Sequence, residues 1–162
     1  MSAILVAEDD GHHALLIRAG FSAAKLANPL HVVNDGSEAI AYLEGRGQYR
    51  DRERFPLPVL VLLDLNLPGT PGLQVLAWMS GRPEVRDIPA VILTASEEAS
   101  DIEQAFALGA RSYLIKPVGF DALLDVVRNL GLFWIVTNQP PRSPVSLAAN
   151  GREGSSGRRN RA

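Results

Sequence analysis

Residues 59–72 read VLVLLDLNLPGTPG. The apolar run 59–63 ends abruptly at Asp64. A run that short, rich in Val and Leu, predicts a strand buried on both faces. Pro68, Gly69, Pro71 and Gly72 then break the chain into a loop. A carboxylate therefore stands at the carboxyl end of a central strand. In open α/β sheets that edge is where ligands bind. From this stretch alone, a merely solvated strand-end Asp is an equal alternative.

Working outward, the same pattern repeats. Residues 4–7 are apolar and end at Glu8, Asp9 and Asp10. Ala14, Ile17, Phe21 and Ala24 follow at helical spacing and predict a helix over 11–27. Residues 30–33 are a short strand. Asp35 and Glu38 have capping-box spacing before the apolar helical face of Ala39, Ile40 and Leu43. Residues 45–58, GRGQYRDRERFPLP, are charged and are expected to form a long exposed loop. Beyond the opening stretch, Leu73, Leu76 and Met79 mark a helix that ends before Gly81 and Pro83. Residues 90–93 form an apolar run ending at Thr94, and 112–115 a run ending at Lys116 and Pro117. Each is followed by a helical pattern, the last carried by Phe120, Leu123, Leu124 and Val127.

Strands are thus expected to start near 3, 30, 59, 90 and 111, alternating with helices. That order predicts an α/β fold, a doubly wound five-stranded parallel sheet covered on both faces, because parallel neighbours need crossover connections. Every strand delivers its last residue to one edge: Glu8, Asp9 and Asp10 from the first, Asp64 from the third, Thr94 from the fourth, Lys116 from the fifth. Singly, each has a bland reading as a helix cap or a solvated charge. Together they make a plausible site for phosphoryl chemistry. Clustered carboxylates raise one another's pKa unless a cation neutralises them. Oxygen ligands with no Cys suit Mg²⁺. Asp64 could attack phosphorus, with Lys116 neutralising phosphoryl oxygens and Thr94 donating a hydrogen bond to one.

Composition bounds the rest. The 162 residues suit one domain with some excess at an end. Apolar residues make up 46% and charged residues 21%, the balance of a globular protein. There is no cysteine, so disulfides and thiolate metal sites are excluded, and a cytoplasmic location is expected. No signal peptide is read at the N-terminus, and no run is long enough for a membrane span. Residues 150–162 carry a local +3 against a net −2 for the whole chain, leaving −5 on the body.

ILVAEDD, LLDLNLP with Gly72, LTAS and YLIKP resemble, in order and separation, the receiver domain of two-component response regulators. The resemblance covers residues 1–131 and implies the flavodoxin-like (βα)5 receiver fold. It implies Asp64 as phosphoacceptor and Asp9 as direct Mg²⁺ ligand. Glu8 would act through water, and the Asn66 backbone carbonyl would be a third protein ligand. Thr94 and Tyr113 would be the switch pair, Tyr113 turning inward on phosphorylation. Lys116 would bind phosphate, and the Lys116–Pro117 bond would be cis. Where the family has an acidic residue, this chain has Pro71. Asp10 reads as a helix N-cap. His12 and His13 read as exposed first-turn residues, and His31 as a strand histidine with no companion ligand.

Beyond residue 131 come Leu132, Phe133, Trp134, Ile135 and Val136, then a Pro-rich stretch to 146. Leaving such a run in water costs about 25 cal/mol per Å². It is expected to be an exchanged arm making a homodimer, with intrachain packing as the alternative. Residues 147–162 are expected to be a disordered basic tail. FWIVTNQPP, the HH pair and the long loop before LLDLNLP resemble response regulators paired with bacterial phytochrome histidine kinases. The implied partner is a sensor histidine kinase of that type. There is no room for a DNA-binding output domain, and no membrane partner is expected. The enzyme alternative is an aspartyl-nucleophile phosphatase, which has a second Asp where this chain has Asn66. A flavodoxin-like FMN binder would need a phosphate loop where this chain has EDDGHH. A degenerate receiver acting as a binding module is the remaining alternative, although such modules usually lack one of the acids or the Lys.

Overall fold

The structure is a computed structural model and describes residues 2–137, with side chains to Trp134. The elements are β1 (Ile4–Ala7), α1 (Gly11–Ala23), β2 (Leu30–Val33), α2 (Gly36–Glu44), β3 (Leu60–Leu63), α3 (Gly72–Ser80), β4 (Ala90–Thr94), α4 (Ala99–Ala107), β5 (Ser112–Ile115) and α5 (Phe120–Thr137). The five strands form one parallel sheet in the order β2-β1-β3-β4-β5. This is the flavodoxin-like arrangement. The order reverses between β1 and β3, so a crevice opens at their carboxyl ends.

The period of two along each strand splits the core into two layers. Leu5, Ala7, Val61, Leu63, Ile92 and Tyr113 face a layer completed by α2, α3 and α4. Ile4, Val6, Leu60, Leu62, Val91, Leu93 and Leu114 face α1 and α5. Both faces of β1, β3 and β4 are buried. That is why these strands read as unbroken apolar runs. Gly20 is where α1 and α5 meet most closely: a Cβ there would stand 2.6 Å from Val127 Cγ1.

Three local expectations differ from the structure. First, α1 ends at Ala23, four residues early. Lys25 adopts φ 59°, and the Leu26 amide donates back to the Phe21 carbonyl at 3.0 Å. A left-handed residue followed by this 6→1 bond terminates a helix, here without the glycine that would have signalled it. Second, residues 45–58 are not simply an exposed polar loop. Tyr49 is buried, and His31, Tyr42, Tyr49 and Phe55 stack with centroid separations of 5.0–5.9 Å. Arg52 donates to the carbonyls of Tyr42, Leu43 and Phe55 at 2.8–3.1 Å. Its guanidinium adds a donor to carbonyls in the last turn of α2, Leu43 among them. Third, the Lys116–Pro117 bond is trans, since no described peptide bond is cis. A prolyl bond favours trans only slightly, so its isomer is set by tertiary context rather than by the dipeptide.

The arm expected from residue 132 onward begins inside α5. Gly131 lies mid-helix, and a Cβ there would come within 3.0 Å of Ala24 and Phe21 side chains. Trp134 is buried in the α1–α5 layer, whereas Leu132 is exposed. The Ile135 and Val136 side chains and residues 138–162, including the proposed tail, lie outside the described residues.

Candidate functional site

Sheet hydrogen bonding carries on past the ends of the strands and fixes the residues there. The Glu8 amide donates to the Val33 carbonyl at 3.0 Å, Asp64 to Ala7 at 3.1 Å, and Lys116 to Thr94 at 2.7 Å. Glu8, Asp64, Thr94 and Lys116 are consequently the buried polar residues at this edge. Ligand oxygens of Glu8, Asp9 and Asp64 lie within 4.8 Å of one another, with Asp9 exposed. The Lys116 ammonium donates to Asp64 Oδ2 at 2.7 Å and to Glu8 Oε1. Asp64 Oδ1 accepts from the Asn66 amide at 3.0 Å, and the Thr94 hydroxyl lies beside the carboxylate.

These contacts set the charges. Burial raises the pKa of Asp64, but bonds from Lys116, Asn66 and Thr94 outweigh it and hold the group below its ordinary value. Burial wins at Glu8 and pushes it up despite Lys116. Burial would lower Lys116, but the two carboxylates raise it above its ordinary 10.5. Asp64 is thus ionised at neutral pH, and the single ammonium cannot balance three acids. A residual negative field with hard oxygen donors and no thiolate matches the chemistry of Mg²⁺. An ion here would be held by Glu8, Asp9 and Asp64, with the Asn66 carbonyl on the neighbouring loop.

The loop after Asp64 is tightly built. The Gly72 amide donates to the Leu65 carbonyl at 3.0 Å, and a Cβ on Gly72 would come within 2.3 Å of the Asp64 carbonyl. Gly36 lets the Thr70 carbonyl approach, and Ser37 Oγ shares a hydrogen bond with Thr70 Oγ1 at 3.0 Å. Pro71 is the N-cap of α3 with φ −61°, a value proline adopts unstrained. Asp10 caps α1, accepting from the His12 and His13 amides. Asp35 accepts from the Glu38 amide, while Glu38 reaches back to the Asn34 amide, one residue beyond the N-cap amide of a full capping box.

Two participants escape sequence reasoning. His13 is only half exposed, and its Nδ1 stands 3.1 Å from Lys116 Nζ. The signal was present as the HH pair after the acids, but the contact needs α1 beside the β5–α5 connection. Ser96 links the other pair: its amide reaches Thr94 Oγ1 at 3.5 Å, and its carbonyl accepts from the Tyr113 hydroxyl at 2.9 Å. Its own hydroxyl donates to Asp101 at 2.5 Å. Tyr113 is fully buried, in the inward position.

Residues 4–128 match the response regulator receiver domain. The chain belongs to that family. It is 36% identical over 141 residues to the probable methanogenesis regulatory protein FilR2 of Methanothrix harundinacea, covering 85% of this chain and 86% of that protein. It is 34% identical over 134 residues to the response regulator Rcp1 of Synechocystis, covering 83% and 89%. The Mn²⁺-bound crystal structure of Rcp1 superimposes with a TM-score of 0.79 over 87% of this chain and 99% of that one, at 33% identity. The phosphorylated cyanobacterial phytochrome response regulator RcpA gives 0.79 over 86% and 98%, at 32% identity. Among the described residues, no helix is long and apolar enough to cross a membrane.

Proposed function

We propose that this receiver takes a phosphoryl group on Asp64 from a sensor histidine kinase, probed most directly with one of phytochrome type, and passes the signal on through its surface. The observation that carries the reading is the ionised Asp64 carboxylate, held by Lys116 and the Asn66 amide beside two further acids. One carboxylate oxygen forms the new O–P bond as the bond to the donor's nitrogen breaks, and the leaving imidazole takes a proton. Mg²⁺, when bound, neutralises charge on the transferring group. Lys116 holds its ammonium where those oxygens arrive, and the Thr94 hydroxyl is positioned to donate to one of them. Asn66 supplies no carboxylate that could act as a general acid, which favours a stored signal over a hydrolase. The phytochrome pairing rests on the likeness to RcpA and on the C-terminal FWIVTNQPP.

The partner surface follows from exposure. Leu15 on α1, Val118 on the β5–α5 connection and Phe120 at the start of α5 are exposed large apolar residues. They lie on the two segments that meet at Lys116, so a donor protein docking there brings its phosphohistidine to Asp64. Homodimerisation through Leu132, Phe133, Ile135 and Val136 is proposed as a second interaction, while Trp134, expected in the same arm, packs within the chain. Exposed Leu132 is the described residue that supports it. Thr94, Ser96 and Tyr113 form the switch path, and the protein works in the cytoplasm.

The test treats wild type and Asp64→Asn with a small phosphodonor and Mg²⁺ and follows intact mass and oligomeric size. Wild type is expected to gain one phosphoryl group and the variant none. Wild type without a mass gain would end the reading. A chain cut after residue 131 that still dimerises would end the arm proposal.

A further inference from the structure

We infer that His13 is a positioning residue that holds the Lys116 ammonium in place for phosphoryl transfer; this rests on the reading of Asp64 as phosphoacceptor. A lysine ammonium has three protons to donate and no acceptor. At Lys116 all three have partners: Glu8 Oε1, Asp64 Oδ2 at 2.7 Å, and His13 Nδ1 at 3.1 Å. Because the ammonium only donates, Nδ1 must carry a lone pair, and the ring proton sits on Nε2.

The three acceptors differ in kind. Glu8 and Asp64 belong to the acid group whose oxygens would ligate a divalent ion, and Asp64 is also the atom donor in the new O–P bond. Both carboxylates therefore change partners during the reaction. The imidazole nitrogen stands outside that acid group and has no reason to let go. It is anchored independently: the His13 amide donates to Asp10 Oδ1 at 3.3 Å in the first turn of α1. The carboxylate oxygens nearest Nδ1, Glu8 Oε1 at 3.6 Å and Asp10 Oδ2 at 3.8 Å, lie beyond hydrogen-bond distance, which leaves Lys116 as the partner of that nitrogen. His13 thus offers Lys116 a fixed partner while its carboxylate partners are redistributed, which limits the search for the reactive geometry.

The test compares wild type with His13→Ala, His13→Leu and His13→Asn. Leu keeps bulk without an acceptor, and the Asn side-chain oxygen can occupy the place of Nδ1. Phosphoryl uptake from phosphoramidate with Mg²⁺ is expected to slow about tenfold in Ala and Leu, the order set by one hydrogen bond to a charged group. His13→Asn is expected to recover most of the rate. In ¹⁵N-lysine-labelled protein, the Lys116 ammonium resonance is expected to move in Ala and Leu and to stay near its wild-type position in Asn. Equal uptake in all four proteins, or Asn no better than Leu, overturns the inference. If wild type itself takes no phosphoryl group, the Asp64 reading fails, and the ammonium resonance alone decides: a shift confined to Ala and Leu supports the hold on Lys116, and no shift overturns it.

Discussion

The two edges of the sheet treat charge differently. At the carboxyl edge, Glu8, Asp64, Thr94 and Lys116 are buried, and no buried side-chain polar atom among the described residues lacks a partner. At the amino edge, an open cleft of about 610 Å³ is lined by Pro58, Pro83 and Pro89, by Trp134 from the far end of α5, and by Asn28 and the exposed Glu84, Asp87 and Arg111. One edge buries charges that must stay available for chemistry. The other leaves its charges in solvent and buries Trp134. Buried charge adds little net stability even when paired, because desolvation offsets the Coulomb gain. The fold's stability therefore has to come from the layers and from closures such as Trp134, which leaves the carboxyl edge free to carry function.

The contrast breaks most visibly at Trp134. Trp134→Ala is expected to lower stability by about 3–5 kcal/mol, through lost burial and the cavity left behind. Urea unfolding reads that loss. The initial rate of phosphoryl uptake by the folded protein is expected to stay at the wild-type value. A stable Trp134→Ala protein would show that the end of α5 is held by something other than this side chain.

Lys116→Met is the converse at the other edge. Uptake from a small phosphodonor is expected to fall by about 10²–10³, the scale of one lost charge-stabilising donor, with rates measured by mass at saturating Mg²⁺. A fall of less than threefold would mean that Lys116 serves mainly to neutralise the acids at rest.

Much of the carboxyl edge was legible because its signals are local. A strand in a buried parallel sheet has to be apolar throughout, so the first polar residue after it marks the edge. Asp64, Glu8 and Lys116 are such residues, and Thr94 is the polar last residue of β4. Asp10 and Asp35 were legible as caps for the same reason. What could not be read depends on contacts between distant segments. His13 reaches Lys116 only because α1 and α5 pack side by side. Lys25 stops α1 in a left-handed turn that its side chain does not advertise. Arg52 and Tyr49 look like surface residues until α2 supplies carbonyls to one and aromatic rings to the other. Gly131 resembles a helix stop, but its missing Cβ makes room for Ala24 and Phe21.

Tyr113 connects the edge to the layer behind it, so its two halves can be separated. Tyr113→Phe keeps the buried ring and removes the hydroxyl that donates to the Ser96 carbonyl. The cost is expected to be about 1 kcal/mol, the usual net value of one neutral hydrogen bond, read by urea unfolding. Exchange protection around Ser96 is expected to fall with it. An unchanged protection pattern would remove Tyr113 from the path between Thr94 and the surface.

The subtlest difference between the edges is electrostatic and emerges in alkali. The acid side is a poor probe, because Glu8 is shifted up and Asp64 down, and their contributions to stability oppose each other. Lys116 is shifted above 10.5 by Asp64 and Glu8, against the effect of burial. Below 10.5 the ammonium is present in folded and unfolded chains alike, and its extra stabilisation of the folded state is complete. As pH rises through the higher folded value that stabilisation is lost. Tyr42, raised to about 12 by burial, and Tyr113, also raised, lose stability in the same direction. They are common to wild type and Lys116→Met, so the difference between the two unfolding curves isolates the ammonium. Measured without divalent ions from about pH 9 to 12, that difference is expected to shrink steadily as pH rises. Curves that stay parallel would mean that the Lys116 ammonium gains nothing from the two carboxylates beside it.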